Sequence, residues 1–162
     1  MAAYIDTNLG RSPWHAIGIK QFTPDAGAGG VPIFYRTFTN HAADMGFDAI
    51  GLTFVNNYSV NETCNVQTNL DCYSNLRLES LDGTDRTNLI NVNRANSIEN
   101  RLIKLLIYLE NNFPNENWDQ YLDENSQIRW EKIVVAGHSH GGGTAGIIAK
   151  NHRFCKVKIR VN

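Results

Sequence analysis

Neither sign of charge prevails in this chain: 16 Asp and Glu stand against 15 Lys and Arg in 162 residues, for a formal net charge of -1. Binding to a phosphate backbone or an anionic membrane draws on a basic excess, so neither nucleic acid nor a charged lipid surface is an expected partner. Long apolar runs are lacking too. The most apolar helical stretch, Leu102 to Leu109, is interrupted by Lys104 and falls far short of the roughly 20 residues a bilayer requires, so no membrane span is predicted. The N-terminus lacks the basic and then apolar blocks of an export signal. Internal repeats and low-complexity tracts are also absent, which leaves one globular unit with a real core over residues 1–162.

Cysteine is sparse, and three residues do not fix the redox compartment. Cys64 and Cys72 lie close together in a polar loop and can pair if the protein is exported; a bridge would hold their Cα atoms about 4.4 to 6.8 Å apart. Pairing would favour an extracellular or periplasmic location over a cytoplasmic one, and location is otherwise unassigned. Cys155 would then be left as an inert thiol on a strand. Two glycosylation sequons, Asn57-Tyr58-Ser59 and Asn61-Glu62-Thr63, occupy the same loop, but a chain this rich in Asn carries such triplets by chance.

What is present alternates strands with helices. Ala16 to Phe22 reads as a strand, followed by turn residues from Thr23 to Gly30 and a helix whose first turn holds Pro32. Phe34, Phe38, Ala42 and Met45 recur at helical spacing on that helix, and Gly46 stops it. Asp48 to Val55 is a second strand. Asn56 to Asn96 is polar and irregular, read as an excursion over the sheet edge with one helix near Asp71 to Leu81. Ile98, Leu102, Leu105, Leu106, Leu109 and Phe113 then form one apolar stripe, with Asn96 or Ser97 as N-cap and Pro114 as terminator. Trp118, Tyr121 and Leu122 suit a short amphipathic turn, and the unbroken run Lys132 to Ala136 suits a strand inside a parallel sheet. Cys155 to Val161 alternates apolar and basic residues, the pattern of an edge strand with one wet face. Alternating elements of this kind predict a three-layer α/β/α fold with a mostly parallel sheet, the Ala16 strand lying between those from Asp48 and Lys132.

The chemistry centres on Gly137-His138-Ser139-His140-Gly141, which follows the Lys132 strand directly, with Gly142, Gly143 and Gly146 opening the next helix. This is G-x-S-x-G in a strand, sharp turn and helix, with Ser139 as the nucleophile. The turn forces the serine into a strained conformation, and a side chain two residues to either side would collide with it, hence Gly137 and Gly141. The helix N-terminus brings unpaired N–H groups to the place where an oxyanion would form. Two alternatives are a plain glycine-rich connector and a phosphate cradle. The cradle would lack the Lys-Ser/Thr ending of a P-loop and a downstream acidic residue for a ribose.

With these residues the chain resembles the α/β-hydrolase superfamily, and within it a bacterial-type group with a G-H-S-x-G-G-G elbow. The likeness spans most of the chain: a loop similar to Pro24 to Pro32, a helix opening similar to Ala95 to Leu102, and Trp118 to Leu122 ahead of the elbow strand. The resemblance implies that Ser139 is the nucleophile, that the His140 backbone N–H is one oxyanion donor, and that the Ala26 to Gly30 loop, at Gly27, supplies the other. Asp25 departs from the group's pattern, where a glycine is common. The implied substrate is a small molecule with an ester or similar acyl bond, and no cofactor or metal is expected.

The histidines have plainer readings. His138 and His140 flank Ser139, but neighbouring side chains on a sharp turn diverge, so neither is placed to take the serine proton. His138 and His140 with His152 form a poor zinc set, without a nearby Cys or carboxylate. His15 and His41 read as surface or helix-face residues, and Asp119 and Asp123 as parts of a solvated turn. From His140 to Asn162 there is no Asp or Glu, and His152 is the one histidine beyond the elbow. A triad in the superfamily's order, Ser then acid then His, is therefore not contained here, and the chain is expected to be a partial α/β-hydrolase domain lacking strands before Ala16 and after Val161. Two functions follow. Either a fuller protein is a serine hydrolase of which this is a part with little activity of its own, or this is a non-catalytic α/β module that binds a ligand or partner, or self-associates, through an exposed sheet edge.

Overall fold

The computed structural model describes residues 35–152 in full, together with the backbone of strands β1 (Tyr4–Ile5), β2 (His15–Ile19) and β5 (Lys156–Arg160). With β3 (Ala49–Leu52) and β4 (Ile133–His138) these form one five-stranded sheet in the order β1-β3-β2-β4-β5. β2 lies between two parallel neighbours, Ala16 opposite Ala49 on β3 and His15 opposite Ile133 on β4. β5 pairs parallel with the other side of β4, Val157 opposite Val135. β1 runs antiparallel beside β3, with Tyr4 opposite Gly51. It corrects the expectation of no strand before Ala16, since two residues are too few to show a period of two.

Alternation along β3 places the helices. Ile50 and Leu52 join a large cluster with Ile98, Leu102, Leu106 and Leu109 of α4 (Ile98–Asn112) and with Ala145 and Ile148 of α5 (His140–Asn151). Ala49 instead packs with Ala42 and Ala43 of α1 (Arg36–Asp44). Successive strand residues face opposite sides, so α1 covers one face and α4 and α5 the other. The stripe expected on α1 is displaced: Phe38 and Met45 are 45% and 56% exposed, while Thr39, Ala42 and Ala43 are buried. Small side chains let this helix lie close to its strand, and the bulky ones are left outside.

α4 follows its pattern. The Ser97 hydroxyl accepts from Asn100 N–H at 3.3 Å, Ile98, Leu102, Leu106 and Leu109 are buried, and Pro114 follows the last turn. Trp118 and Tyr121 occupy a buried 3-10 turn, where the Tyr121 hydroxyl donates to the Asp48 carboxylate at 2.9 Å.

The polar stretch after β3 is the main correction to the sequence reading. It holds α2 (Val60–Asn65), which was not expected, and α3 (Cys72–Asp82), the helix expected near Asp71 to Leu81, and α3 packs against α4 and α5 instead of passing over the sheet edge. Val60, Cys64, Cys72 and Leu76 form their own small core. Apolar residues this widely spaced leave little periodic signal. Gly83 ends α3 at φ 76°, and a Cβ there would lie 2.4 Å from Arg94 N, so the chain returns across the helix end where no side chain fits.

Cys64 and Cys72 are bridged, with Cα atoms 5.7 Å apart, and both are buried. Closing so short a loop removes unfolded-state freedom worth about 2–3 kcal/mol. The double variant Cys64→Ala/Cys72→Ala is expected to lose about that much stability in urea unfolding, and reductant should destabilise the wild-type protein but not the variant. Equal stability of the two proteins under oxidising conditions would show that the bridge braces nothing. No helix among the described residues is long and apolar enough to cross a membrane.

Candidate active site

Ser139 stands between β4 and α5 with φ 54° and ψ -121°, and its side chain is exposed. A residue with a Cβ pays on the order of 1–3 kcal/mol for such a backbone, which persists only where the surroundings impose it. The imposing contact is visible at Gly137, where a Cβ would lie 2.2 Å from Gly141 O and 2.7 Å from Gly142 N. Strand and helix backbones therefore touch across the turn, and the serine is carried to its apex. Gly143 N–H donates to Ser139 O at 3.2 Å to start the helical ladder. The N–H groups of His140, Gly141 and Gly142 precede that bond, where an oxyanion could receive them.

The His140 side chain takes no part at the apex. Its ring is buried, 8% exposed, edge-on to Phe54 and Tyr58 with centroids 6.0 and 5.2 Å away, and neither ring nitrogen makes a hydrogen bond. Burial, then the positive charge of Arg77, lower its pKa from 6.5 to about 4, against a weaker opposing influence of the Tyr58 backbone. The folded protein thus refuses a proton that the unfolded chain accepts. Its contribution to stability is whole above pH 6.5 and is lost as pH falls toward about 4, on the order of 3 kcal/mol across the window. His140→Phe should flatten that part of the stability profile in urea titrations at stepped pH; an unchanged slope would place the ring in contact with water.

The remaining expected site residues are either outside the described residues or placed elsewhere in the fold. Gly27 and the whole Pro24 to Pro32 loop lie outside the described residues, as does Cys155. His152 closes the far end of α5, thirteen residues past Ser139, about 20 Å along a helix axis. There it stacks on Trp130 at 4.3 Å between centroids and pairs with the Glu99 carboxylate at 3.4 Å. Burial pushes the Glu99 carboxyl up, but the nearby His152 ring and the hydrogen bond and charge of Arg94 outweigh it, leaving the carboxyl below the usual range. This pair ties α4 to α5; it cannot serve Ser139 of the same chain, nor join His138 and His140 around a zinc ion. His41 is exposed on α1, and Asp123 holds a turn by accepting from Asn125 and Gln127 N–H at 2.8 Å each.

Sequence reasoning missed Arg77, Glu79 and Tyr58, all from the polar stretch. The Arg77 guanidinium lies on α5, where a Cβ at Gly143 would come within 2.6 Å of it. The glycines opening α5 were the available signal, since they imply close approach by something. Tyr58 hydrogen-bonds Ser80 beside the His140 ring, and burial raises its pKa. Comparison with family models, curated protein sequences and solved structures finds no match to this chain.

Proposed function

We propose that the chain is part of a serine hydrolase with an incomplete α/β-hydrolase fold, acting on an ester or similar acyl bond through Ser139. The observation that carries the reading is an exposed serine held at positive φ between a parallel strand and a helix, with glycine required behind it. In the reaction Ser139 Oγ adds to the ester carbonyl and its proton passes to the departing alkoxide, which leaves as the alcohol; water then adds to acyl-Ser139, releasing the acid and returning a proton to Ser139 Oγ. The N–H groups at the start of α5, that of His140 first, stabilise the oxyanion of each step. The disulfide suits an oxidising compartment, outside the cell or in a periplasm. The outer side of β5, the last strand of the sheet among the described residues, is the edge through which self-association would proceed.

The His140 and His152 rings are both engaged away from Ser139, and a general base by itself contributes about 10²- to 10⁴-fold. Turnover of p-nitrophenyl acetate by the chain is therefore expected to be low yet dependent on Ser139, with an acyl adduct on Ser139 visible by mass spectrometry and absent from Ser139→Ala. Equal turnover by both proteins with no adduct would overturn the reading. A fast Ser139-dependent rate would locate a base on this chain or on a second copy.

A further inference from the structure

A cleft of about 480 Å³ opens between α3 and α5, lined by Tyr73, Ser74 and Arg77 on one side and Gly143, Gly146 and Ile147 on the other. Among the described residues Arg77 is the one charged residue lining it, and no carboxylate pairs with it. Its Nη1 donates to Tyr73 O at a long 3.3 Å, and its Nε is buried without a hydrogen-bond partner. Its Cζ lies 5.9 Å from the centre of the Tyr73 ring, so the guanidinium faces the cleft wall through a cation–π contact and not an ion pair. A guanidinium without a carboxylate partner favours an anionic acceptor, and a charge-assisted hydrogen bond to one is about twice as strong as a neutral one.

The cleft also has a defined relation to the elbow. Gly143 lies one helical turn past Ser139, about 6 Å along α5, and its missing side chain makes the room that Arg77 fills. Gly146, the next residue on that face, keeps the groove open, while Ile147, Tyr73 and the 97%-exposed Leu70 give it apolar walls and rim.

We propose that Arg77 binds a carboxylate or phosphate oxyanion in this cleft, so that the Ser139 site takes esters carrying an acidic group a few bonds from the scissile carbonyl. This rests on the hydrolase reading for its purpose. The guanidinium fork matches either oxyanion, and the apolar walls suit the short carbon chain that joins it to the ester.

The test is binding to the Ser139→Ala protein, which cannot turn substrate over, followed by amide shifts in ¹H–¹⁵N spectra. Three probes are used: monomethyl succinate, methyl phosphate and the neutral dimethyl succinate. The two anions should shift the amides of Gly143, Gly146 and Ile147, and whichever binds more tightly names the oxyanion. Dimethyl succinate should bind about tenfold or more weakly, and Arg77→Gln should lose a similar factor for the anions, with Arg77→Lys between. Equal binding of neutral and anionic esters, anion binding unaffected in Arg77→Gln, or no shift at those amides in the protein that retains Arg77 would each overturn the proposal. Anion binding without Ser139-dependent turnover in the wild type would leave the subsite standing and remove the hydrolase. Turnover without anion binding would do the reverse.

Discussion

Gly137→Ala is expected to abolish the folded state or leave a protein destabilised by more than about 4 kcal/mol. The added methyl would sit 2.2 Å from Gly141 O, 2.3 Å from Gly141 C and 2.7 Å from Gly142 N, and all three are backbone atoms. No rotamer relieves such a clash. Either β4 or the start of α5 must move, and both hold the core through Val135, Ala145 and Ile148. Native domains keep only about 5–15 kcal/mol in reserve, so one change of this size consumes much of it. The contrasting variant is Gly143→Ala, whose methyl would meet only the end of the Arg77 side chain, 2.6 Å away. Arg77 can swing aside, and alanine gains up to about 1 kcal/mol of helix propensity over glycine, so Gly143→Ala should fold with near-wild-type stability. Soluble yield and urea unfolding of the two proteins decide the matter. A well-folded Gly137→Ala protein would mean that strand and helix do not touch across the turn.

Glu79→Ala is the second variant with a large expected effect, on the order of 3–5 kcal/mol. The Glu79 carboxylate is 2% exposed and accepts three backbone N–H bonds, from Arg86 at 2.9 Å, Thr87 at 3.1 Å and Val92 at 3.3 Å. One side chain thereby substitutes for the sheet or helix that residues 84–92 lack. Asp82 adds a two-pronged pair to Arg86 at 2.6 and 2.8 Å, and Gly83 lets the chain pass beneath Arg94. Truncation would leave the three N–H groups without an acceptor, and the buried Val92 could not turn to water without leaving the core. Glu79→Gln preserves shape but presents an amide N–H₂ to one of the donors, so a smaller loss of about 1–2 kcal/mol is expected. Hydrogen exchange resolves the effect by residue: the amides of Arg86, Thr87 and Val92 should lose protection in Glu79→Ala well before those of α4. Unchanged protection there would show that the loop is held by its apolar contacts alone.

Several features were legible because their causes are local. The elbow is a matter of backbone sterics within Gly137 to Gly141, and α4 announces itself through a 15-residue stripe with a serine before it and a proline after it. Cys64 and Cys72 are eight residues apart, near enough for one turn between two helices to bring them together. β1 was illegible for its length, and α2 because its few apolar residues are separated by polar ones, whereas α3 falls where a helix was expected, near Asp71 to Leu81. The α1 stripe was misread for a different reason: helical spacing shows that a face exists, but the space beside β3 decides which face fits, and it admits alanine before phenylalanine.

By itself the sequence determined where the strained serine would lie, that strands and helices would alternate around it, and which two cysteines could meet. Only the tertiary structure decided what surrounds that serine. It buried the His140 ring against Phe54 and Tyr58, carried His152 away to Glu99, laid Arg77 on Gly143, and used Glu79 to hold a loop. Steric exclusion and hydrophobic periodicity act between residues a few positions apart and leave a pattern in the chain. Burial, ion pairing and close packing act between segments far apart in it, and they exist only once the fold has brought those segments together.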